Sequence, residues 1–137
     1  MECEDIETFT GTAGEHARNP HNHGPLSDFN GHARITGPCG DTMDFWVDVR
    51  NGIVERISFV TDGCGSSMAC GSMASCLAKG KPCEEAAALQ QQEILAALGC
   101  LPGEFEHCAL LAANTLKAAC TDYLERRISL NDDKRKE

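Results

Sequence analysis

From residue 41 to residue 50 the chain alternates. Met43, Phe45, Val47 and Val49 fall on one side, and Thr42, Asp44, Asp48 and Arg50 on the other. A period of two predicts a half-buried strand. Trp46 falls on the polar side, where it is expected to lie under the N-terminal segment. Asn51-Gly52 follows, the strongest short hairpin signal. Residues 53–61 then read as a further strand, with Ile53, Ile57 and Phe59 in register. Upstream, residues 31–37 predict a first strand with Ala33 and Ile35 on one face. It joins the second through Gly37-Pro38-Cys39-Gly40, and Gly-Pro and Cys-Gly steps make a tight, exposed turn.

This is a three-stranded antiparallel meander, and its topology places chemistry. Strands one and two join at Cys39, and strands two and three join at the opposite end. The third strand therefore finishes back beside Cys39, where the chain reads Asp62-Gly63-Cys64-Gly65. Cys39 and Cys64 thus come to one sheet edge. Asp41, in register with Met43 and Phe45, points towards whatever covers that face.

Helical signals cover it. Residues 66–79 are small and end at Gly80, as suits a helix packed close on a sheet. Cys70 and Cys76 lie about 240° apart around such a helix, so they share no face and read as core residues. Pro82, Glu84 and Glu85 open one or two short helices over 83–98, with Gln90-Gln91-Gln92 as the break. Cys83 and Cys100 read as structural. A long helix over about 106–128 buries Ala109, Ala112, Leu116, Ala119 or Cys120, and Tyr123. Cys108 falls in its first turn, where the helix dipole favours a thiolate. Residues 4–18 form at most a weak helix, because Thr and Gly are poor helix formers. The expected organisation is one domain over 1–128, with 1–24 mobile, and a charged, disordered tail over 129–137. His16, His21 and His23 read as exposed loop residues rather than ligands. The fold class is α+β, a three-stranded antiparallel sheet covered on one face by helices.

The 137 residues suffice for one domain with a single core. A net charge of −9 argues against nucleic acid as a partner, since phosphate binding needs a basic patch. No run approaches the roughly 20 apolar residues of a membrane span, and Met1-Glu2-Cys3-Glu4-Asp5 has no apolar leader pattern. The expectation is a cytoplasmic chain. There nine cysteines read as metal-binding or reactive groups rather than disulfides. If the helix that carries Cys108 starts at the edge with Cys39 and Cys64, three thiolates converge, and Asp41 and His107 are both candidates for a fourth position.

These motifs resemble a known family, the IscU/NifU-type iron–sulfur cluster assembly scaffolds. The resemblance rests on Asn19-Pro20-His21-Asn22, Gly37-Pro38-Cys39-Gly40-Asp41, Asp62-Gly63-Cys64, Gly80-Lys81, and Leu101-Pro102 followed by His107-Cys108, in order from about residue 6 to residue 125. It implies a scaffold rather than an enzyme. A labile [2Fe–2S] cluster is built from iron and sulfur on Cys39, Cys64 and Cys108, with Asp41 or His107 as fourth ligand, and is then handed to apo iron–sulfur acceptor proteins. The implied partners are a cysteine desulfurase, an iron donor and those acceptors, with room for a homodimer around the cluster. Cys108 is the candidate sulfur acceptor, and Asp41 is the implied element that eases release. Zinc is expected only as an adventitious occupant. Family members served by a DnaK-like chaperone carry Leu-Pro-Pro-Val-Lys where this chain has Leu101-Pro102-Gly103-Glu104-Phe105, so the resemblance does not extend to that partner. The alternatives are a zinc-binding sulfur relay of the SufU type and a structural zinc protein. The SufU-type proteins carry an insertion before the last Cys and lack the His; this chain keeps His107. A Cys/His hydrolase is disfavoured, because neighbours on a helix diverge by about 100°.

Overall fold

A computed structural model describes residues 11–38, 40–63, 65–99 and 103–136. The elements run α1 (Gly11–Arg18), β1 (Gly31–Thr36), β2 (Thr42–Arg50), β3 (Ile53–Thr61), α2 (Gly65–Ala78), α3 (Cys83–Ala87), α4 (Gln91–Leu98) and α5 (Gly103–Lys136). The sheet has the antiparallel order β1-β2-β3, which is the expected meander. Asn51 and Gly52 both take positive φ, 55° and 78°, the backbone of a two-residue hairpin turn.

One face of the sheet is apolar and closed. Met43, Phe45, Val47 and Val49 of β2 and Val54, Ile57 and Phe59 of β3 are buried there. Helix α5 lies over β1 and β2, and α2 lies over β3. Their approach is close because small residues permit it. A Cβ on Gly71 of α2 would stand 2.5 Å from the Phe59 ring, and one on Gly31 of β1 would stand 2.6 Å from the Ala119 carbonyl of α5. Helix α2 is therefore central: the sheet lies on one side, α1 and α4 on others, and α5 runs alongside. A helix enclosed this way is buried around its circumference and shows no single apolar stripe.

Hydrogen bonds from neighbouring segments reach both sheet edges. The His32 N–H of β1 donates to Asp122 of α5 at 3.0 Å. Along β3, the Phe59 N–H donates to the Asn22 carbonyl and the Gly24 N–H to the Phe59 carbonyl, at 3.0 and 2.9 Å. Further along that edge Val54 pairs with Lys81 and Gly80. These bonds use up part of the backbone that a bare edge would offer to another chain.

Four expectations need correction. A bulge falls between Asp48 and Val49, so that Val49 pairs with Val54 and Asp48 with Arg56. The extra residue shifts the phase of β3, and Val54 rather than Ile53 joins Ile57 and Phe59 in the core. Trp46 is on the outer face, but there its ring stacks on His32, with centroids 5.0 Å apart; α1 packs against α2 and α4 instead. Asp44 and Asp48, on that same polar face, are buried nonetheless. Asp44 accepts from His32 and Arg34, and Asp48 from Arg50 and Arg56. Burial alone would raise the Asp48 carboxyl, but the hydrogen bonds from the two arginines hold it below the usual range. Finally, α5 begins at Gly103 and continues to Lys136. Residues 125–136 hold neither Gly nor Pro and include three Arg and two Lys, so no strong helix breaker ends the helix there. Among the described residues no helix is long and apolar enough to cross a membrane.

Candidate metal centre

The end of the sheet opposite the Asn51-Gly52 hairpin gathers the chemistry. The β1–β2 connection is closed by two backbone bonds, Gly37 N–H to the Asp41 carbonyl at 2.8 Å and Gly40 N–H to the Gly37 carbonyl at 3.0 Å. Gly37 faces the Leu111 side chain of α5, which places this turn over the first turns of that helix. The exit of β3 is tied to the same corner. The Thr42 N–H donates to Asp62 Oδ1 at 2.8 Å, the Thr61 hydroxyl to the Thr42 carbonyl at 2.9 Å, and the Gly63 N–H to Thr61 Oγ1 at 3.1 Å. Asp41 and the Asp62-Gly63 step are thereby neighbours, as the meander requires.

Helix α2 starts here, and two serines in its first turn reach the site. Ser67 Oγ donates to Asp41 Oδ2 at 3.1 Å and lies 3.3 Å from Cys108 Sγ. Ser66 Oγ lies 3.5 Å from the same sulfur. Cys108 is 6% exposed and Ser67 is fully buried. Gly63 walls this group. A Cβ there would overlap the Ser67 hydroxyl and stand 2.7 Å from Asp41 Oδ2, so only glycine leaves the carboxylate its place.

The structure thus brings Asp41 and Cys108 onto one hydroxyl, although 67 positions separate them in sequence. Cys39 and Cys64 lie outside the described residues; their neighbours Gly40, Asp41 and Gly63 are at this corner. Among the described residues no group of three His, Cys, Asp or Glu side chains could hold a metal ion. His107 is exposed on α5, beside Cys108 in sequence. The helix-end argument for Cys108 is corrected. Because α5 starts at Gly103, Cys108 sits in its second turn, beyond the reach of that helix's own dipole. The helix N-terminus beside its sulfur is that of α2, through Ser66 and Ser67. Sequence reasoning missed both serines. Their only signal was position, immediately after Asp62-Gly63-Cys64-Gly65 at the start of a helix.

The Asn19-Pro20-His21-Asn22 stretch has a different task. His16 Nδ1 lies 2.6 Å from Ser72 Oγ, the His21 N–H donates to the same hydroxyl at 2.8 Å, and Asn22 Nδ2 donates to Ser75 Oγ at 2.9 Å. These bonds latch α1 and its following loop to α2. His16 is accordingly buried, not the exposed loop residue expected, whereas His21 and His23 are exposed. Cys70 and Cys83 are buried, as read from the sequence, and Cys76 is partly so. Burial pushes the Cys76 thiol up. The hydrogen bond with Cys83, then burial, push Cys120 up. Such thiols are inert compared with one at a polar edge.

Comparison with known proteins agrees with this architecture. Residues 8–129 match the NifU-like N-terminal domain. The chain is 39% identical over 113 residues to the iron–sulfur cluster assembly scaffold protein IscU 1 of Archaeoglobus fulgidus, covering 82% of this chain and 74% of that protein. It is 40% identical over 116 residues to the scaffold protein IscU of Aquifex aeolicus, with the same coverage of 82% and 74%. Its fold is similar to that of the N-terminal part of a nitrogen-fixing NifU-like protein from Brucella abortus, with a TM-score of 0.60 at 18% identity over 86% of this chain and 95% of that one. With the matched domain spanning nearly its whole length and these relatives close to 40% identical, the chain belongs to the NifU-like N-terminal domain family, which includes the IscU-type scaffolds.

Proposed function

We propose that this protein is a scaffold on which an iron–sulfur cluster is assembled and from which it is passed to acceptor proteins. The observation that carries the reading is the meeting of Asp41 and Cys108 at Ser67, beside the Asp62-Gly63 step, in a chain of the scaffold family. Cys39, Cys64 and Cys108 supply thiolates, the usual ligands of such clusters. Asp41 supplies the fourth donor, and exposed His107 is the alternative. Three thiolates and one oxygen or nitrogen hold a [2Fe–2S] cluster less firmly than four thiolates, which suits a carrier. The cluster is cargo, not a resident cofactor.

Sulfur reaches the site as a persulfide on a cysteine desulfurase. The Cys108 thiolate attacks the outer sulfur; a new S–S bond forms on Cys108 and the desulfurase cysteine leaves as its thiolate. Iron enters from a donor, two electrons from a separate redox partner reduce each persulfide's outer sulfur to sulfide and return the Cys108 thiolate, and the finished cluster leaves to an apo-protein, so the chain acts as a carrier without turnover of its own. Any zinc bound by the purified protein would occupy the same donors as a stand-in for iron. A structural zinc site is disfavoured, because such sites draw on close Cys-x-x-Cys pairs, whereas these donors come from separate elements. The test is anaerobic reconstitution with ferrous iron, sulfide and a thiol. The reading predicts visible charge-transfer absorption and two irons and two sulfides per cluster; a colourless protein that binds only zinc overturns it.

A further inference from the structure

We propose that Ser67 is a positioning residue of this centre: its hydroxyl fixes the Asp41 carboxylate relative to the Cys108 sulfur so that both address one metal ion. Three observations carry it. The hydroxyl is shared, since Ser67 Oγ donates to Asp41 Oδ2 at 3.1 Å and lies 3.3 Å from Cys108 Sγ. With its single proton given to the carboxylate, the oxygen faces the thiol as an acceptor. The residue cannot easily turn away, because Ser67 is fully buried and Gly63 closes the remaining side. The group is also anchored at both ends: Asp41 belongs to the turn that precedes β2, and Cys108 to the long helix packed on β1 and β2. A serine at the start of α2 is thus the link between donors from two other elements. Groups that orient metal ligands in this way typically change affinity 10–100-fold when removed.

The inference rests on Asp41 and Cys108 being metal donors, so the experiment tests both levels. Cobalt(II) alone is titrated anaerobically into the full chain and followed by thiolate-to-cobalt charge-transfer absorption. The proteins are wild type, Ser67→Ala, Asp41→Ala, the double variant Ser67→Ala/Asp41→Ala, and Cys108→Ser. Ser67→Ala is expected to weaken cobalt binding about 10–100-fold. The double variant is expected to bind no more weakly than Asp41→Ala, because a hydroxyl that acts by holding the carboxylate has nothing left to hold. A merely structural serine would instead give additive losses. A Ser67→Ala Kd within twofold of wild type overturns the inference, as does additivity in the double variant, provided Cys108→Ser has lost affinity. If Cys108→Ser keeps the wild-type affinity and band intensity, the donor assignment itself falls, and the role of Ser67 falls with it.

Discussion

The His16 ring nitrogen Nδ1 lies 2.6 Å from the Ser72 hydroxyl, joining the first helix to the central one. Burial, then the neighbouring charge of His21, hold the His16 imidazole below its ordinary value of 6.5. The docked ring therefore stays neutral to lower pH than a free imidazole does. The unfolded chain takes up the proton near the ordinary value, while the folded chain does so only at lower pH. In that window the unfolded state binds more protons, so stability falls as pH drops below about 6.5 towards the folded value. Thermal unfolding measured between pH 7.5 and 5.5 should show a falling Tm in the wild type. In His16→Gln that fall should be smaller, since the titrating group is gone. An equal slope in the two proteins would assign the pH dependence to other groups.

Gly71 faces the Phe59 ring across the α2–β3 contact, and a Cβ there would stand 2.5 Å from two ring atoms. Alanine at this position gains up to about 1 kcal/mol of helix propensity. Overpacking a core costs about 1–3 kcal/mol, and Phe59 is fully buried, so it has little room to give. The second effect should win. Urea unfolding of Gly71→Ala should show a lower midpoint than wild type, and an unchanged or higher midpoint would mean that α2 can lift from the sheet freely.

The sheet was legible because its signals are local: the alternation from Met43 to Val49, the Asn51-Gly52 turn, and the topology that returns β3 to the first turn. The neighbourhood of Asp41 and Asp62 followed from topology alone. What escaped was non-local or non-periodic. The bulge at Asp48/Val49 breaks the period of two and moved the core position from Ile53 to Val54. The polar outer-face pairs that bury Asp44 and Asp48 depend on register between strands. Ser67 has no motif of its own; its role appears only when Asp41 and Cys108 are seen on either side of it. The start of α5 was misplaced by three residues, enough to move Cys108 from the first turn to the second.

The Asp41 carboxylate, a hard oxygen group, and the soft Cys108 sulfur meet at the Ser67 hydroxyl. A single divalent ion gains from such a carboxylate, whereas an assembled iron–sulfur centre prefers thiolate. The same group should therefore help iron enter and help the cluster leave. Asp41→Ala is expected to bind ferrous iron more weakly, yet to lose its reconstituted cluster more slowly under a chelator and to transfer it more slowly to an apo-ferredoxin. Decay of the cluster absorbance gives the answer. Equal or faster decay in the variant would show that the carboxylate is not the release element.

The most direct test of the central claim is cluster loading across a set of single cysteine variants. Each of Cys39→Ala, Cys64→Ala and Cys108→Ala is reconstituted anaerobically beside Cys70→Ala and Cys76→Ala, and bound iron, sulfide and visible absorption are measured after gel filtration. Cys70 is buried in α2, and Cys76 lies partly buried on the same helix, well beyond its first turn. The account predicts that the first three variants retain no stable cluster and the last two load as wild type does; full loading of Cys39→Ala or Cys108→Ala would contradict it.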